Sequence, residues 1–313
     1  MVQDNEIKAE VSPFSIRKGE IKTFDGKDGY VSMNQIIHKI NIGHITDIHF
    51  TIIELVNEFE FITSRQLYQI LLWKGIDPKS QDKLNNKLEQ LVKSKILTRY
   101  YFSSEEGKGI YRIYCLEKMG KYLLNSRGIE CKWQPTDNTK PVGMIKKRLS
   151  GNQTLLAYLR KVKAFDAYVV KPAITAKTLG KVFKATGGSV KLTKNKKSIC
   201  FLFESVRRED DWEKKFIDKM NLYKDFYDNF IQLDSGFDTI PQLIFICEDE
   251  KHTAEVFKLI VTNKLELDKI KLYFTTDLRQ NKDTLKDTLI EFKIDEKTNK
   301  YKIADVELKL LAE

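Results

Sequence analysis

The sequence predicts a mixed protein in two parts, an α+β segment followed by an α/β domain. Three observations predict it. Apolar residues recur at helical spacing between residues 45 and 92 and then give way to two strand-like runs. From residue 199 onward, short apolar runs alternate with longer helical periods. Between them, residues 128–143 hold Pro135, Asn138, Pro141 and Gly143 with few aliphatics, which reads as a linker. A chain of 313 residues also favours two domains over one.

Residues 1–44 read as an irregular arm, with β-like runs at 21–24 and 30–33 and turn signals at Asp25-Gly26 and Asp28-Gly29. A first helix is marked by Ile45, Ile48, Ile52, Ile53, Val56 and Phe59. A second begins near Thr63, which stands three residues before Gln66, the spacing of a capping box. After Gly75, Asp77 as N-cap and Pro78 in the first turn predict a third helix. Its buried stripe is Leu84, Leu88, Leu91 and Val92, which leaves Lys79, Lys83, Asn86, Lys87, Gln90 and Lys93 for solvent. Two runs rich in Tyr, Ile and Phe, at 97–102 and 110–116, flank a polar tip with two glycines and predict a β-hairpin. Helical residues return from Glu117 to Asn125.

Three helices followed by a hairpin is the order of a winged helix-turn-helix, placed at residues 45–127. The major groove admits one helix, and its base edges are read by Arg, Lys, Asn and Gln. Asn86 and Gln90 therefore become candidates for base contact, with Lys79, Lys83, Lys87 and Lys93 for phosphate. Arg99, Lys108 and Arg112 on the hairpin would extend phosphate contact from the wing. A helical docking domain with a solvated lysine face is the competing reading; 8 basic against 3 acidic residues over 61–100 favours nucleic acid.

The net charge of +10 is unevenly spread. Residues 141–200 hold 14 basic residues and 1 acidic one, whereas residues 201–313 hold 19 and 25. A solvated face mixes signs, so this block points to a polyanion. Its candidates for DNA contact are Lys146, Lys147 and Arg148 on a predicted helix, and Lys191, Lys194, Lys196 and Lys197 on a predicted hairpin before the strand at 199–203. A long helix follows through Trp212, Phe216, Met220 and Tyr223, then strands at 243–247 and 270–274 around a helix at 253–262. A closing hairpin is expected at 290–306.

The winged-helix order, the segment Phe201-Leu-Phe-Glu-Ser-Val-Arg-Arg-Glu-Asp and the long helix with Lys214, Lys215 and Tyr223 ahead of Pro241-Gln-Leu-Ile-Phe-Ile resemble the replication-relaxation family of plasmid and other mobile-element proteins. That resemblance implies a restriction-endonuclease-like α/β domain over residues 144–313. It also implies a cytoplasmic accessory role in replication or DNA transfer, with double-stranded DNA as partner and a relaxase or replication initiator as a further one. Homodimer formation is left open. Related nucleases hold a divalent ion between an Asp on one strand and a Glu-x-Lys on the next. Here Glu204 stands at the Glu position, but Val206 replaces Lys, and no acid occurs in the run from Gly187 to Lys197. Asp166 is the nearest upstream carboxylate. The expectation is a non-catalytic domain without metal, in which Glu204 pairs with Arg207 or Arg208. A metal-dependent nuclease or nickase, and a transcriptional regulator with a ligand-sensing or dimerising second domain, are the alternatives.

No GxxxxGK[ST] motif is present, so no P-loop ATPase is indicated, and no cofactor is called for. Cys115, Cys131, Cys200 and Cys247 lack the spacing of a zinc site or a disulfide framework. No secretory signal is read at the start, and no apolar run approaches the roughly 20 residues of a membrane span.

Overall fold

The computed structural model describes residues 11–105, 107–295 and 300–311. The N-terminal segment is built into the fold rather than left as an arm. Strand β1 (Ile21–Phe24) and helix α1 (Met33–Asn41) come first, α1 being closed by a capping box between Ser32 and Gln35. Helix α2 (Asp47–Phe59) leads through the short strand β2 (Ile62–Thr63) into α3 (Ser64–Trp73). The expected capping box is present there: Gln66 N–H donates to Thr63 Oγ1, and Thr63 N–H to Gln66 Oε1, each at 3.2 Å.

Helix α4 (Gln81–Lys93) starts later than Asp77 predicts. Asp77 instead accepts from the Lys79 N–H at 2.8 Å in a local turn, and Lys79 takes a left-handed φ of 74°. Ser80 is the N-cap, accepting from Lys83 N–H at 3.2 Å. Lys79 thus precedes the helix and does not share its face. The hairpin strands β3 (Leu97–Ser104) and β4 (Gly107–Leu116) follow, then α5 (Lys118–Ser126). β1 and β2 flank the hairpin in a four-stranded sheet of order β1-β3-β4-β2.

The stretch at 128–143 is packed. It contains a 3₁₀ turn at Pro135–Thr139. Asn138, buried within it, donates to the Leu116 carbonyl at 2.8 Å and accepts from Trp133 Nε1 at 3.1 Å. Helix α6 (Val142–Lys161) then runs through the middle of the molecule. Strand β5 (Phe165–Val169), the small hairpin β6 (Ala173–Ala176) and β7 (Lys181–Lys184), and the hairpin β8 (Gly188–Lys194) and β9 (Lys197–Ser205) follow. Then come α7 (Trp212–Asp228), α8 (Gln232–Ser235), β10 (Gln242–Cys247), α9 (Glu250–Thr262), β11 (Leu272–Thr276) and α10 (Asp277–Gln280). β12 (Leu289–Asp295) and β13 (Lys300–Val306) close the chain as the expected hairpin.

Seven strands form one mixed sheet, in the order β13-β12-β11-β10-β9-β8-β5. β9, β10 and β11 are parallel, with α7 and α9 as crossovers, and the flanking pairs are antiparallel. The chain is therefore a mixed α/β protein with several sheets. Among the described residues, no helix is long and apolar enough to cross a membrane.

Helix α6 packs on α3 and β2 on one side and on β5, β8, β9 and α10 on the other. One apolar cluster accordingly runs from Ile53 and Leu88 through Leu155 and Tyr158 to Phe201 and Phe203. Polar ties cross the same boundary: Gln66 Nε2 donates to the Leu149 carbonyl at 2.7 Å, and Asn152 Nδ2 to that of Phe61 at 2.8 Å. The fit is close enough to demand glycine. A Cβ on Gly151 would lie 2.5 Å from the Gly187 Cα, closer than real contacts allow.

Lys146 belongs to this interior. Its ammonium donates to Glu20 at 2.7 Å and to the Ser15 carbonyl, and only 1% of the residue is exposed. Removing one partner of such a pair strands the other charge, at a cost of about 3–5 kcal/mol. Lys146→Met is therefore expected to lower the unfolding free energy by about that amount. Lys146→Met with Glu20→Met should recover much of the loss, as read by urea denaturation.

Candidate nucleic-acid interface

The α4 helix buries Leu84, Leu88, Leu91 and Val92, so its other side faces out by geometry alone. Lys83, Asn86, Gln90 and Lys93 are exposed and Lys87 is half-buried. Lys83, Asn86 and Lys87 have no side-chain hydrogen bond or ion pair among the described residues. Lys93 stands 3.6 Å from Glu89 on its own helix. Gln90 is not a free reader: its Oε1 lies 2.9 Å from Nε2 of the buried His49, whose Nδ1 accepts from Thr46 N–H at 3.1 Å. Burial lowers the His49 pKa, so the ring is neutral and Gln90 completes its hydrogen bonds.

The hairpin arginines are also engaged. Arg99 pairs with Glu89 and, at 2.9 Å, with Asp25, and Arg112 reaches the same Asp25 carboxylate at 2.9 Å. Arg112 remains exposed, whereas the Arg99 side chain is 13% exposed and anchors α4 to the hairpin and the N-terminal segment. The Lys108 backbone pairs opposite Ser103 in β4, but its side chain lies outside the described residues.

The basic block at 141–200 does not form the single surface that its sequence suggests. Because the first turns of α6 are enclosed by both halves, the charges they carry are spent inside, while Arg160 near its end is exposed. Lys146 is buried on Glu20, Lys147 pairs with Glu209, and Arg148 is 8% exposed and donates to the Val170 carbonyl at 2.7 Å. Lys191 is held by Asp166 at 3.3 Å and Asp238 at 2.5 Å. Lys194, Lys196 and Lys197 do lie exposed at the β8–β9 hairpin tip, with Asn195 and Lys196 in the left-handed turn that joins the strands.

Glu204 lies at the other end of β9 and is 5% exposed. The expected partners Arg207 and Arg208 point elsewhere. Arg207 pairs with Asp277 at 2.7 Å, and Arg208 with Asp249 at 2.8 Å and Glu255 at 2.9 Å, because residues beyond the strand end turn toward the ends of β10 and β11. Glu204 instead accepts from Thr186 Oγ1 at 2.8 Å, Thr186 N–H at 3.2 Å, Lys219 Nζ at 2.7 Å and Tyr223 OH at 2.7 Å. Burial, with the Glu204 charge beside it, holds the Tyr223 pKa well above its usual value and keeps the phenol a donor. These four donors fill the roughly four acceptor positions of a carboxylate.

Lys219 and Tyr223 are one turn apart on α7, a spacing legible in the sequence once Glu204 is known as their target. Facing Glu204 across the sheet, β8 opens with Gly188, opposite Phe203. Asp166 lies beside Lys191, whose β9 partner is Cys200; that register leaves Asp166 about 13 Å along the strand from Glu204. Among the described residues, no group of three or more His, Cys, Asp or Glu side chains is placed to hold a metal ion.

Beside this carboxylate opens a cleft of 780 Å³ between α2, the first turns of α6, the Lys171 and Lys184 loops and α7. Glu60 forms one wall from a left-handed conformation, φ 68°. Such a backbone costs a non-glycine residue about 1–3 kcal/mol and persists where its surroundings demand it. Here the turn closes a hydrogen bond from Phe61 N–H to the Phe59 carbonyl at 2.8 Å and sets the carboxylate among three cations. Burial works against the Glu60 carboxylate, but Lys171, Lys140 and Arg148 outweigh it and hold its pKa below the ordinary value. A lowered carboxyl pKa stabilises the fold above the unfolded-state value, about 4.3, and the gain is lost as pH falls through the folded value. Glu60→Gln is expected to cost about 3 kcal/mol at pH 7. The difference from wild type should shrink below about pH 4, measured by urea unfolding at both pH values.

No protein-family model matches this chain, and no curated protein matches it. Among solved structures, the restriction endonuclease FokI superposes with a TM-score of 0.26 and 10% identity, over 73% of this chain and 41% of that one. The chain thus spans less than half the length of FokI, and likeness at that level assigns neither a fold nor an activity.

Proposed function

We propose that the protein binds double-stranded DNA through α4, as the recognition helix of a winged helix-turn-helix spanning residues 47–116. The observation that carries this reading is the outward row of Lys83, Asn86 and Lys87, three donors side by side with no partner of their own. The element order supports it: helix, short strand, two helices and a hairpin, with β2 joined to β4. Asn86 reads a base, and Lys83 and Lys87 hold phosphates. Lys196 and Lys197 on the β8–β9 hairpin add sequence-independent grip. The α/β part is a restriction-endonuclease-like domain that holds DNA without cutting it, since every acceptor position of Glu204 is taken up by this chain. In this reading, which the resemblance of the sequence to replication-relaxation proteins supports, the activity serves the replication or transfer of a mobile element, with a relaxase or initiator as docking partner.

One contact favours a second reading, a metal-dependent nuclease. Lys219 reaches Glu204 from α7 and restores beside the carboxylate the lysine that Val206 lacks. Incubating supercoiled plasmid with Mg²⁺ or Mn²⁺ separates the two. We expect no nicking; nicking abolished by Glu204→Ala would establish the nuclease.

For the DNA-binding reading, a duplex selected from random sequence provides the probe. Lys83→Ala, Asn86→Ala and Lys87→Ala together are expected to weaken its binding about a hundredfold and to lower the salt slope by about 2. Unchanged affinity and site preference in a gel-shift titration would refute the assignment of α4.

A further inference from the structure

Beyond the α4 surface, the cleft beside Glu204 has the chemistry of a ligand site. Its volume, 780 Å³, is in the range of small-molecule sites. Cations converge on it from four separate segments: Arg148 on α6, Lys171 after β5, Lys184 at the end of β7 and Lys219 on α7. Neighbouring carboxylates offset them only in part. Glu60 is shared among Lys140, Arg148 and Lys171, the last two at 3.6 Å each, and Glu204 is taken by Lys219. Lys184 is exposed and has no ion-pair partner among the described residues.

Arg148 adds a second sign. It is 8% exposed and lines the cleft, and its Nε–H makes no hydrogen bond, standing 3.6 Å from the Glu60 carboxylate. The carboxylate that it faces is shared with Lys140 and Lys171, so an anion in the cleft would add compensation. Lys171 is undercompensated too: burial, together with Arg148, Lys140 and Lys184, pulls its pKa down against Glu60. The half-buried indole of Trp133 lines the same cleft and is held by Asn138, supplying an apolar face.

We propose that this cleft binds a phosphate-bearing ligand of nucleotide size. Arg148, Lys171 and Lys184 hold the phosphates and Trp133 contacts the base. The site involves none of the α4 residues, so its test is independent of the DNA-binding reading above.

The experiment is isothermal titration of the full chain with ATP and with inorganic triphosphate, using sodium sulfate at matched ionic strength as the control. Saturable binding is expected for both phosphates and not for sulfate, with ATP the tighter. Lys171→Gln with Lys184→Gln, a pair at half-exposed and exposed positions, should weaken ATP at least about tenfold, the loss of roughly one charge-assisted hydrogen bond. Trp133→Leu should weaken ATP but not triphosphate. Competition identifies the source: displacement of ATP by a 5′-phosphorylated but not a 5′-hydroxyl single strand marks a DNA terminus, and displacement by neither marks a free nucleotide. No saturable heat with either phosphate, equal binding of sulfate, or an unchanged ATP affinity in the double variant with a native melting curve would overturn the proposal.

Discussion

The buried pair between Arg207 and Asp277 is the constraint on which the rest of the molecule hangs. Arg207 leaves the end of β9, and Asp277 opens α10 directly after β11; Arg207 Nη2 donates to both Asp277 oxygens, at 2.7 and 2.9 Å, across the intervening β10, whose Ile246 carbonyl accepts from Nη1 at 3.2 Å. The same carboxylate accepts from Ser150 of α6 at 2.6 Å and from Ser12 of the N-terminal segment. One charge thus joins the parallel strands, the central helix and the start of the chain. A buried ion pair adds little stability over apolar packing, but breaking it strands a charge. Its use here is to fix one arrangement of the two halves.

With α6 locked in place, the fate of the basic residues follows. The helix carries Lys146, Lys147 and Arg148 into the boundary between the halves, where Glu20, Glu209 and Glu60 await them. Charge that looks like an interface in the sequence becomes a set of internal ties. Exposed lysines remain on the α4 face and at the β8–β9 tip, with Arg160, Lys163 and Lys181 scattered elsewhere, and the cations that could take a small anion gather in the cleft beside Glu204.

Much of this was legible in the sequence. Regular periods gave α2, α3, α7, β9 and β10, and the Thr63–Gln66 box located the start of α3 to the residue. The hairpin order and the outward face of α4 followed from spacing alone. The rest depends on contacts far apart in the chain. β5 was missed because it is an edge strand with exposed Asp166 and Ala167, and it lacks the apolar alternation that marks a strand. The start of α4 was misplaced because Asp77 closes a local turn rather than capping the helix. The Glu204 partners were misassigned because nearest neighbours in sequence, Arg207 and Arg208, lie past the end of the strand, while Thr186, Lys219 and Tyr223 come from β8's approach and α7. Nothing in a linear count of lysines separates a buried Lys146 from an exposed Lys83.

That separation is the central claim, and lysine acetylation read residue by residue by mass spectrometry tests it most directly. In the free protein Lys83 and Lys87 should react readily and Lys146 should not; saturating duplex DNA should protect Lys83 and Lys87 and leave Lys146 unreactive. Reaction of Lys146 at the rate of the α4 lysines, or α4 lysines as reactive with DNA as without it, would contradict the account.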